Sequence, residues 1–356
     1  MPPRYFPSPR VAGDAVVPPH RIALGQYPSS ALDGIRPGAK VLWVTSTGGH
    51  LAELDAINER LQASPDSLWV TSPNEQSRAV LDGRRRLFVD YVAPRNVRAA
   101  ARAAAQVAPL LRREKFDVCI STGAGVAVLI LPMAALAGVR TYYVESLARP
   151  NSPSVTGRVM ARAPGVRTLT QYQSWASPSW AYAGCPLDDL EARGEPVPDS
   201  PLKILVTLGT IAPYRFDRVV DAVLSLLRDD DEVTWQLGAT TRRDLPGRAV
   251  AQVPPDELEA MSLASDVVVA HGGVGSILQQ LGVRKCPVVA VRSSSHAEHV
   301  DDHQQGFAET VAARGLAAVL DLERPSRATL REAAGRVVSR RRPGTGSLHA
   351  ASGPAA

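Results

Sequence analysis

Short apolar runs of strand length alternate along most of this chain with stretches whose apolar residues recur at helical spacing. In the first half the pattern predicts strands at 40–45, 68–71, 87–92, 117–121 and 141–144. Helices are predicted at 51–61, where Leu51, Leu54, Ile57 and Leu61 fall on one face, at 97–113 and at 125–137. A stretch bearing prolines and acidic residues, 186–201, then breaks the alternation. The pattern resumes at Lys203 with strands at 204–208, 233–237, 267–270, 287–291 and 317–320 and a helix at 216–228. Strand alternating with helix marks a parallel, doubly wound sheet. The chain is therefore predicted to be α/β, with two Rossmann-like domains at 39–185 and 203–342 joined by a linker at 186–202. Residues 1–38, rich in proline and without periodicity, are expected to form a mostly disordered or loosely docked arm, and 343–356 a frayed tail.

The most informative stretch runs from 266 to 305. An apolar strand passes at once into His271-Gly272-Gly273-Val274-Gly275-Ser276, which opens onto a helix-like run at 277–281. Glycines let a backbone approach a ligand closely, and the free amides and positive end of the new helix suit a diphosphate. The segment after the next strand is densely polar, carrying His296, Glu298, His299, Asp301, Asp302, His303 and Gln304. Strand ends are where doubly wound sheets bind ligands. In the first half, Ser46-Thr47-Gly48-Gly49-His50 makes a second glycine turn between a strand and a helix.

Composition narrows the classes. At 356 residues there is length for two cores, and three widely spaced cysteines, Cys119, Cys185 and Cys286, suggest a reducing compartment, with neither a disulfide framework nor a zinc motif; Cys119 and Cys286, in or beside apolar strands, read as core residues. No stretch of about 18 apolar residues appears. The net charge of +5 lies in the first half: residues 1–200 carry 22 Lys/Arg against 17 Asp/Glu, whereas 201–356 carry 18 of each. A basic half could attract nucleic acid, an anionic membrane or a diphosphate lipid, or simply be a solvated face. With aromatics at 5%, a stacking groove for single strands is not supported, and no nucleic-acid partner is expected.

Taken together, HGGVGS, a Pro-bearing strand and EHVDDHQ resemble the carboxyl half of family 28 glycosyltransferases. Closest in pattern are the two-subunit enzymes that add a second sugar to lipid-linked exopolysaccharide precursors, and the related eukaryotic pair acting on dolichol diphosphate. The amino half independently resembles the partner subunit: TGGH ending at His50, STGAG at 121–125, Glu145-Ser146 with Arg149 and then SVTGR at 154–158, and TQYQSW from Thr170. VTLGT ending at Thr210, Phe216-Asp217-Arg218 and WQLGAT at Trp235 match the opening of the donor subunit. The resemblance thus implies the two subunits fused in the order acceptor half, then donor half, in a GT-B fold with two domains facing a cleft.

The resemblance also implies roles. The turn of His271, Gly272, Gly273, Gly275 and Ser276 is expected at the diphosphate of a UDP-sugar and Thr210 elsewhere in the donor site, with Asp302, His303 and Gln304 holding the sugar and Glu298 and His299 lining the same pocket. Gln279 stands where related sequences usually place a ribose-gripping glutamate, which leaves an uncharged bond at that position. On the acceptor side are Gly48, Gly49, Ser146 and Arg149. An acceptor hydroxyl needs a base; His50 is the candidate and Glu145 the competitor, the structural reading of His50 being that it only orients its turn. His296, His299 and His303 with Asp301 and Asp302 have the residue types of a zinc site, but the resemblance assigns the segment to sugar recognition, and no metal or other cofactor is expected. The expected activity is an inverting, UDP-sugar-dependent hexosyl transfer to a polyprenyl-diphosphate saccharide in surface polysaccharide assembly. Transfer to a small acceptor, or a non-catalytic UDP-sugar-binding partner, are the alternatives. The enzyme is expected in the cytoplasm or peripheral on the inner face of the plasma membrane, with the arginine-bearing helix at 97–113 as the candidate contact with anionic lipid.

Overall fold

The computed structural model describes residues 21–22, 30–93, 95–211, 213–298 and 303–341. The first domain comprises β1 (Val41–Thr45), α1 (Gly49–Leu61), β2 (Leu68–Thr71), α2 (Glu75–Val80), β3 (Arg86–Phe88), α3 (Val97–Arg113), β4 (Val118–Gly123), α4 (Ala127–Leu136), β5 (Arg140–Val144), α5 (Val155–Met160), β6 (Val166–Thr170) and β7 (Ala181–Tyr182). Its seven strands are parallel in the order β3-β2-β1-β4-β5-β6-β7. β1 and β4 are buried along their whole length, which is why they read as unbroken apolar runs and not as alternating ones. Leu42, Val44 and Cys119 face α3, α4 and α5 on one side; Val41, Trp43 and Ile120 face α1 and α2 on the other, where Trp43 stacks on Trp69 with ring centroids 5.1 Å apart.

After β8 (Leu190–Arg193) the second domain comprises β9 (Lys203–Thr207), α6 (Asp217–Leu224), β10 (Glu232–Gln236), β11 (Arg248–Val250), α7 (Pro255–Ala264), β12 (Val267–His271), α8 (Val274–Gly282), β13 (Val288–Ala290), α9 (His303–Ala313), β14 (Ala318–Val319), α10 (Arg327–Ala334) and β15 (Val337–Arg340). Its six-stranded sheet is also parallel, ordered β11-β10-β9-β12-β13-β14. In each sheet the strand order reverses at one place, between β1 and β4 and between β9 and β12. Ligands of open α/β sheets bind at the carboxyl ends of strands at such a point.

Two boundaries differ from the sequence reading. The first domain begins before Ala39, because Leu32 and Ile35 are buried in its core and Ala31 N donates to Tyr182 O at 2.8 Å. Arg21 and Ile22 dock on the other domain, through Glu259 at 3.2 Å and Gly282 O at 2.8 Å; the rest of the arm, 1–20 and 23–29, lies outside the described residues, as does the tail from 342. The linker, in turn, is not a bare tether. Its β8 pairs antiparallel with β15, so the chain returns from the second domain onto the segment that entered it. Gly194 and Gly335 make the crossing tight: a Cβ on Gly335 would lie 1.8 Å from Glu195 O, and one on Gly194 1.9 Å from Gly335 O. The domains share a further apolar cluster, in which Leu147, Tyr172 and Leu187 meet Val274, Ile277, Leu281 and Phe307. All three cysteines are buried and free.

Gly335→Ala should therefore lower stability by roughly 1–3 kcal/mol in urea unfolding, the cost of overpacking against rigid backbone. Gly34→Ala, where a Cβ meets nothing within 4 Å, serves as control and should stay within about 0.5 kcal/mol of wild type. Equal effects would show that the crossing tolerates a side chain.

Candidate active site

The two glycine turns meet face to face. Each follows a central strand at its sheet's switch point, and each opens a helix, α1 from Gly48 and α8 from Gly273. Gly48 sits at φ 82°, a conformation that favours glycine, and Gln76 clamps it, accepting from Gly48 N at 2.6 Å and donating to Gly48 O at 3.1 Å. Gly49 and Gly275 touch: a Cβ on Gly275 would stand 3.4 Å from Gly49 Cα, and one on Gly49 3.2 Å from Val274 Cβ. Neither helix has an acidic residue in its first turn or a side-chain cap, so two sets of helix-start amides and two positive helix ends converge on the interdomain seam. An oxyanion is the ligand such a place accommodates.

His50, the second residue of α1, is half-buried and packs against Gly123 at the end of β4. Its Nδ1 is enclosed without a hydrogen-bond partner among the described residues. Burial lowers its pKa to about 4, a backbone hydrogen bond at Thr122 acts in the opposite direction, and the charge of Arg149 lowers it further. The imidazole is thus neutral at neutral pH, with a lone pair able to take a proton. Arg149 makes no side-chain hydrogen bond or ion pair among the described residues, and next to it Pro150 packs on Gly306 of α9.

The competing base has other work. Glu145 is buried, and its Oε2 accepts from Ser154 N at 2.9 Å and Ser154 Oγ at 3.1 Å, while Oε1 is 3.3 Å from both Ser146 N and the Tyr143 hydroxyl. It lies under the start of α5, where a Cβ on Gly157 would be 2.1 Å from Oε2, which accounts for the glycine of SVTGR. Ser146, expected to meet the acceptor, is likewise buried and donates to Glu53 Oε1 at 2.7 Å. Glu53 is a residue the sequence reading passed over. One turn beyond His50 on α1, it also accepts from Leu147 N at 3.0 Å and Gln171 Nε2 at 2.9 Å, so one carboxylate ties α1 to the loops after β5 and β6. Burial raises its pKa to about 7 against the pull of these hydrogen bonds. Only its place on the apolar face of α1, between Leu51 and Leu54, could have flagged it.

On the second domain's side, Gly275, Ser276 and Gln279, expected at the donor, form the half-exposed stripe of α8, and Val274, Ile277, Leu278 and Leu281 its buried face. His271 folds over the turn, its Nε2 2.6 Å from where a Gly273 Cβ would be. Gln304 packs on Gly272, 3.2 Å from a Cβ built there, and its Oε1 is buried without a partner among the described residues; the DHQ segment thus reaches the glycine turn through this residue. Thr210 is exposed on the loop after β9. His299, Asp301 and Asp302 lie outside the described residues, as does the side chain of His303. Among the described residues no cluster of metal-ligating side chains occurs. Glu298 corrects an expectation: it is buried, and Arg218 engages both its oxygens, Nε to Oε1 at 2.9 Å and Nη2 to Oε2 at 2.8 Å, with Ser293 N donating to Oε2 at 3.0 Å. Its carboxylate binds the loop after β13 to α6 and is not left to line a pocket.

Residues 204–324 match the glycosyltransferase family 28 C-terminal domain. Over 319 residues the chain is 25% identical to a UDP-N-acetylglucosamine--N-acetylmuramyl-(pentapeptide) pyrophosphoryl-undecaprenol N-acetylglucosamine transferase of Parasynechococcus marenigrum, covering 81% of this chain and 84% of the relative. A protein of the same description from Synechococcus sp. strain RCC307 is 27% identical over 308 residues, covering 81% and 84%. Both relatives are aligned across the two domains as single polypeptides. Among solved structures, MurG of Acinetobacter baumannii superposes with a TM-score of 0.53 at 15% identity, covering 82% of this chain and 88% of that one. The glycosyltransferase SnogD of Streptomyces nogalater gives 0.52 at 17%, covering 83% and 92%. These likenesses establish the GT-B architecture expected from the sequence.

The raised pKa of Glu53 has a direct consequence for stability. The folded chain keeps a proton on it between pH 4.5 and 7 that the unfolded chain gives up, so its contribution is full below pH 4.5 and is lost as pH rises through 7. Glu53→Gln cannot titrate. Relative to this variant, wild type should lose up to about 3 kcal/mol between pH 4.5 and 7.5 in urea unfolding. A difference independent of pH would show that the carboxyl ionises at its ordinary pKa.

Proposed function

With a carboxyl-terminal domain that belongs to glycosyltransferase family 28, in a GT-B fold, this chain is a glycosyltransferase, and we propose that it moves a sugar from UDP to a saccharide on a polyprenyl diphosphate. The observation that carries this reading is the seam where the α1 and α8 starts meet beside His50. The diphosphate of the donor would lie against the amides of α8, which meet the charge developing on the leaving UDP without calling on a metal. His50, neutral and on the opposite wall, takes the proton of the acceptor hydroxyl as the oxygen attacks the anomeric carbon from the face away from UDP. Such an attack inverts configuration. Glu53 and Glu145 act at one remove: the first holds α1 to the loop that carries Arg149, the second holds the start of α5. The relatives named as N-acetylglucosaminyl transferases acting on an undecaprenol-linked substrate support the lipid-linked acceptor, and they make N-acetylglucosamine a donor sugar to test beside the neutral hexoses.

An acceptor on a polyprenol requires the enzyme to reach a membrane surface. Among the described residues no helix is long and apolar enough to cross one. The arginine-bearing α3, expected as the contact, buries Ala99, Ala100, Ala103 and Val107 against the domain, and the large apolar side chain it exposes is Val97, at its start. Next to it, α4 carries no charged residue and leaves Leu136 82% exposed, and α5 exposes Val155 by 70% together with Val159 and Arg158, with Arg162 exposed just after it. We place peripheral contact with anionic lipid on this α4–α5 surface.

Three outcomes are expected. UDP release should require both a UDP-sugar and a lipid-linked saccharide; turnover on free saccharides with none on the lipid-linked forms would sink the acceptor assignment. His50→Ala should cut turnover by about 10²–10⁴ with donor affinity changed only a few-fold, thermal melting confirming the fold; near-normal turnover in the folded variant would remove the base from this residue. Leu136→Asp with Val155→Asp should abolish co-sedimentation with anionic vesicles while leaving the far-UV spectrum intact, and undiminished sedimentation would place the contact elsewhere.

A further inference from the structure

Arg292 is a buried cation short of anions among the described residues. It follows β13, is 2% exposed, and its Nε has no hydrogen-bond partner among the described residues. The guanidinium lies against Gly209 after β9, its three nearest atoms 2.8–3.0 Å from where a Cβ would be, so a side chain at Gly209 would displace it. β12 lies between β9 and β13 in the sheet. Neighbouring strands are about 4.8 Å apart, so this side chain reaches across the carboxyl end of the central strand, the end from which the His271 turn leads into α8.

What it finds there does not match its charge. The contact to Gly209 O is long, 3.4 Å, and the Phe216 ring is 5.6 Å away. The nearby carboxylate is Glu298, both of whose oxygens Arg218 already engages. Burial accordingly lowers the pKa of Arg292, and Glu298 only partly restores it. A guanidinium held out of water with no carboxylate of its own among the described residues is costly, and a Met or Leu would fill the same space against Gly209 without that cost. The charge is explained by a ligand that brings an oxyanion.

We propose that Arg292 is an oxyanion receptor of the donor crevice, taking a phosphate oxygen of the sugar nucleotide or a carboxylate on the sugar that the nucleotide carries. This rests on the donor site proposed above. In the first case Arg292 complements the α8 amides at the leaving diphosphate. In the second it sets donor choice, favouring a uronate over a neutral hexose.

Calorimetric titration of the full chain with UDP, UDP-glucose and UDP-glucuronate separates the cases. Loss of a charge-assisted bond should weaken binding to Arg292→Gln about 10- to 100-fold. A comparable loss for all three ligands identifies the phosphate as the source, and a loss confined to UDP-glucuronate identifies the carboxylate. Unchanged affinities in a folded Arg292→Gln would overturn the inference while leaving the donor site standing. Wild type binding none of the three would sink the donor site and this inference with it. Should Arg292→Gln not fold, the wild-type complex decides: a ligand oxygen within about 3.2 Å of the guanidinium supports the assignment, and none there overturns it.

Discussion

The contact between Gly49 and Gly275 sets the terms for the site. Two helices that begin at the switch points of separate sheets point their starts at one another, so closely that a Cβ on Gly49 would press on Val274 at 3.2 Å and one on Gly275 would already touch Gly49. Neither start carries a carboxylate to neutralise it. The helix charges therefore remain available to a ligand, and the surroundings of His50 follow from the same constraint. An imidazole enclosed beside two helix starts, with Arg149 in electrostatic reach, is kept in its neutral form, which is the form a proton acceptor needs.

Behind this seam lies a polar network that a purely apolar interior would not require. Glu53, Ser146 and Gln171 form one part of it, and Glu145, Tyr143 and Ser154 the other, joined through Ser146 N. Buried carboxylates cost desolvation, and both of these have pKa values raised by it. In return they fix loops that secondary structure leaves undefined, since a hydrogen bond is directional and a leucine contact is not. The loop so fixed carries Arg149 and, through Pro150, touches α9 of the other domain.

Much of this architecture is legible in the sequence because fully buried parallel strands must read as unbroken apolar runs, as 41–45 and 267–270 do. The helix at 97–113 is equally plain, Ala99, Ala100, Ala103 and Val107 falling on one buried face and the arginines on the exposed one. The glycine turns are legible for a different reason: the residues needed for a close approach are themselves unusual. What escaped was set by distant partners. Nothing local in Val337–Arg340 says that it pairs with a segment some 150 positions earlier, and nothing local in Glu298 says that Arg218 will occupy it. Glu53 and Arg292 were hidden because a charge inside an apolar pattern reads as an exception until its surroundings are known.

The pairing of β8 with β15 also bears on how such a protein could be divided. A cut at residue 203, where the second run of strands begins, would leave β15 with its hydrogen-bonding edge bare and Arg340 without Asp189. The second domain becomes a self-contained piece only if it takes Asp189 and β8 with it. A gene that parted into separate polypeptides for the two halves would have to break upstream of that point, in the short stretch between β7 and Asp189, or else evolve a new cover for the exposed strand.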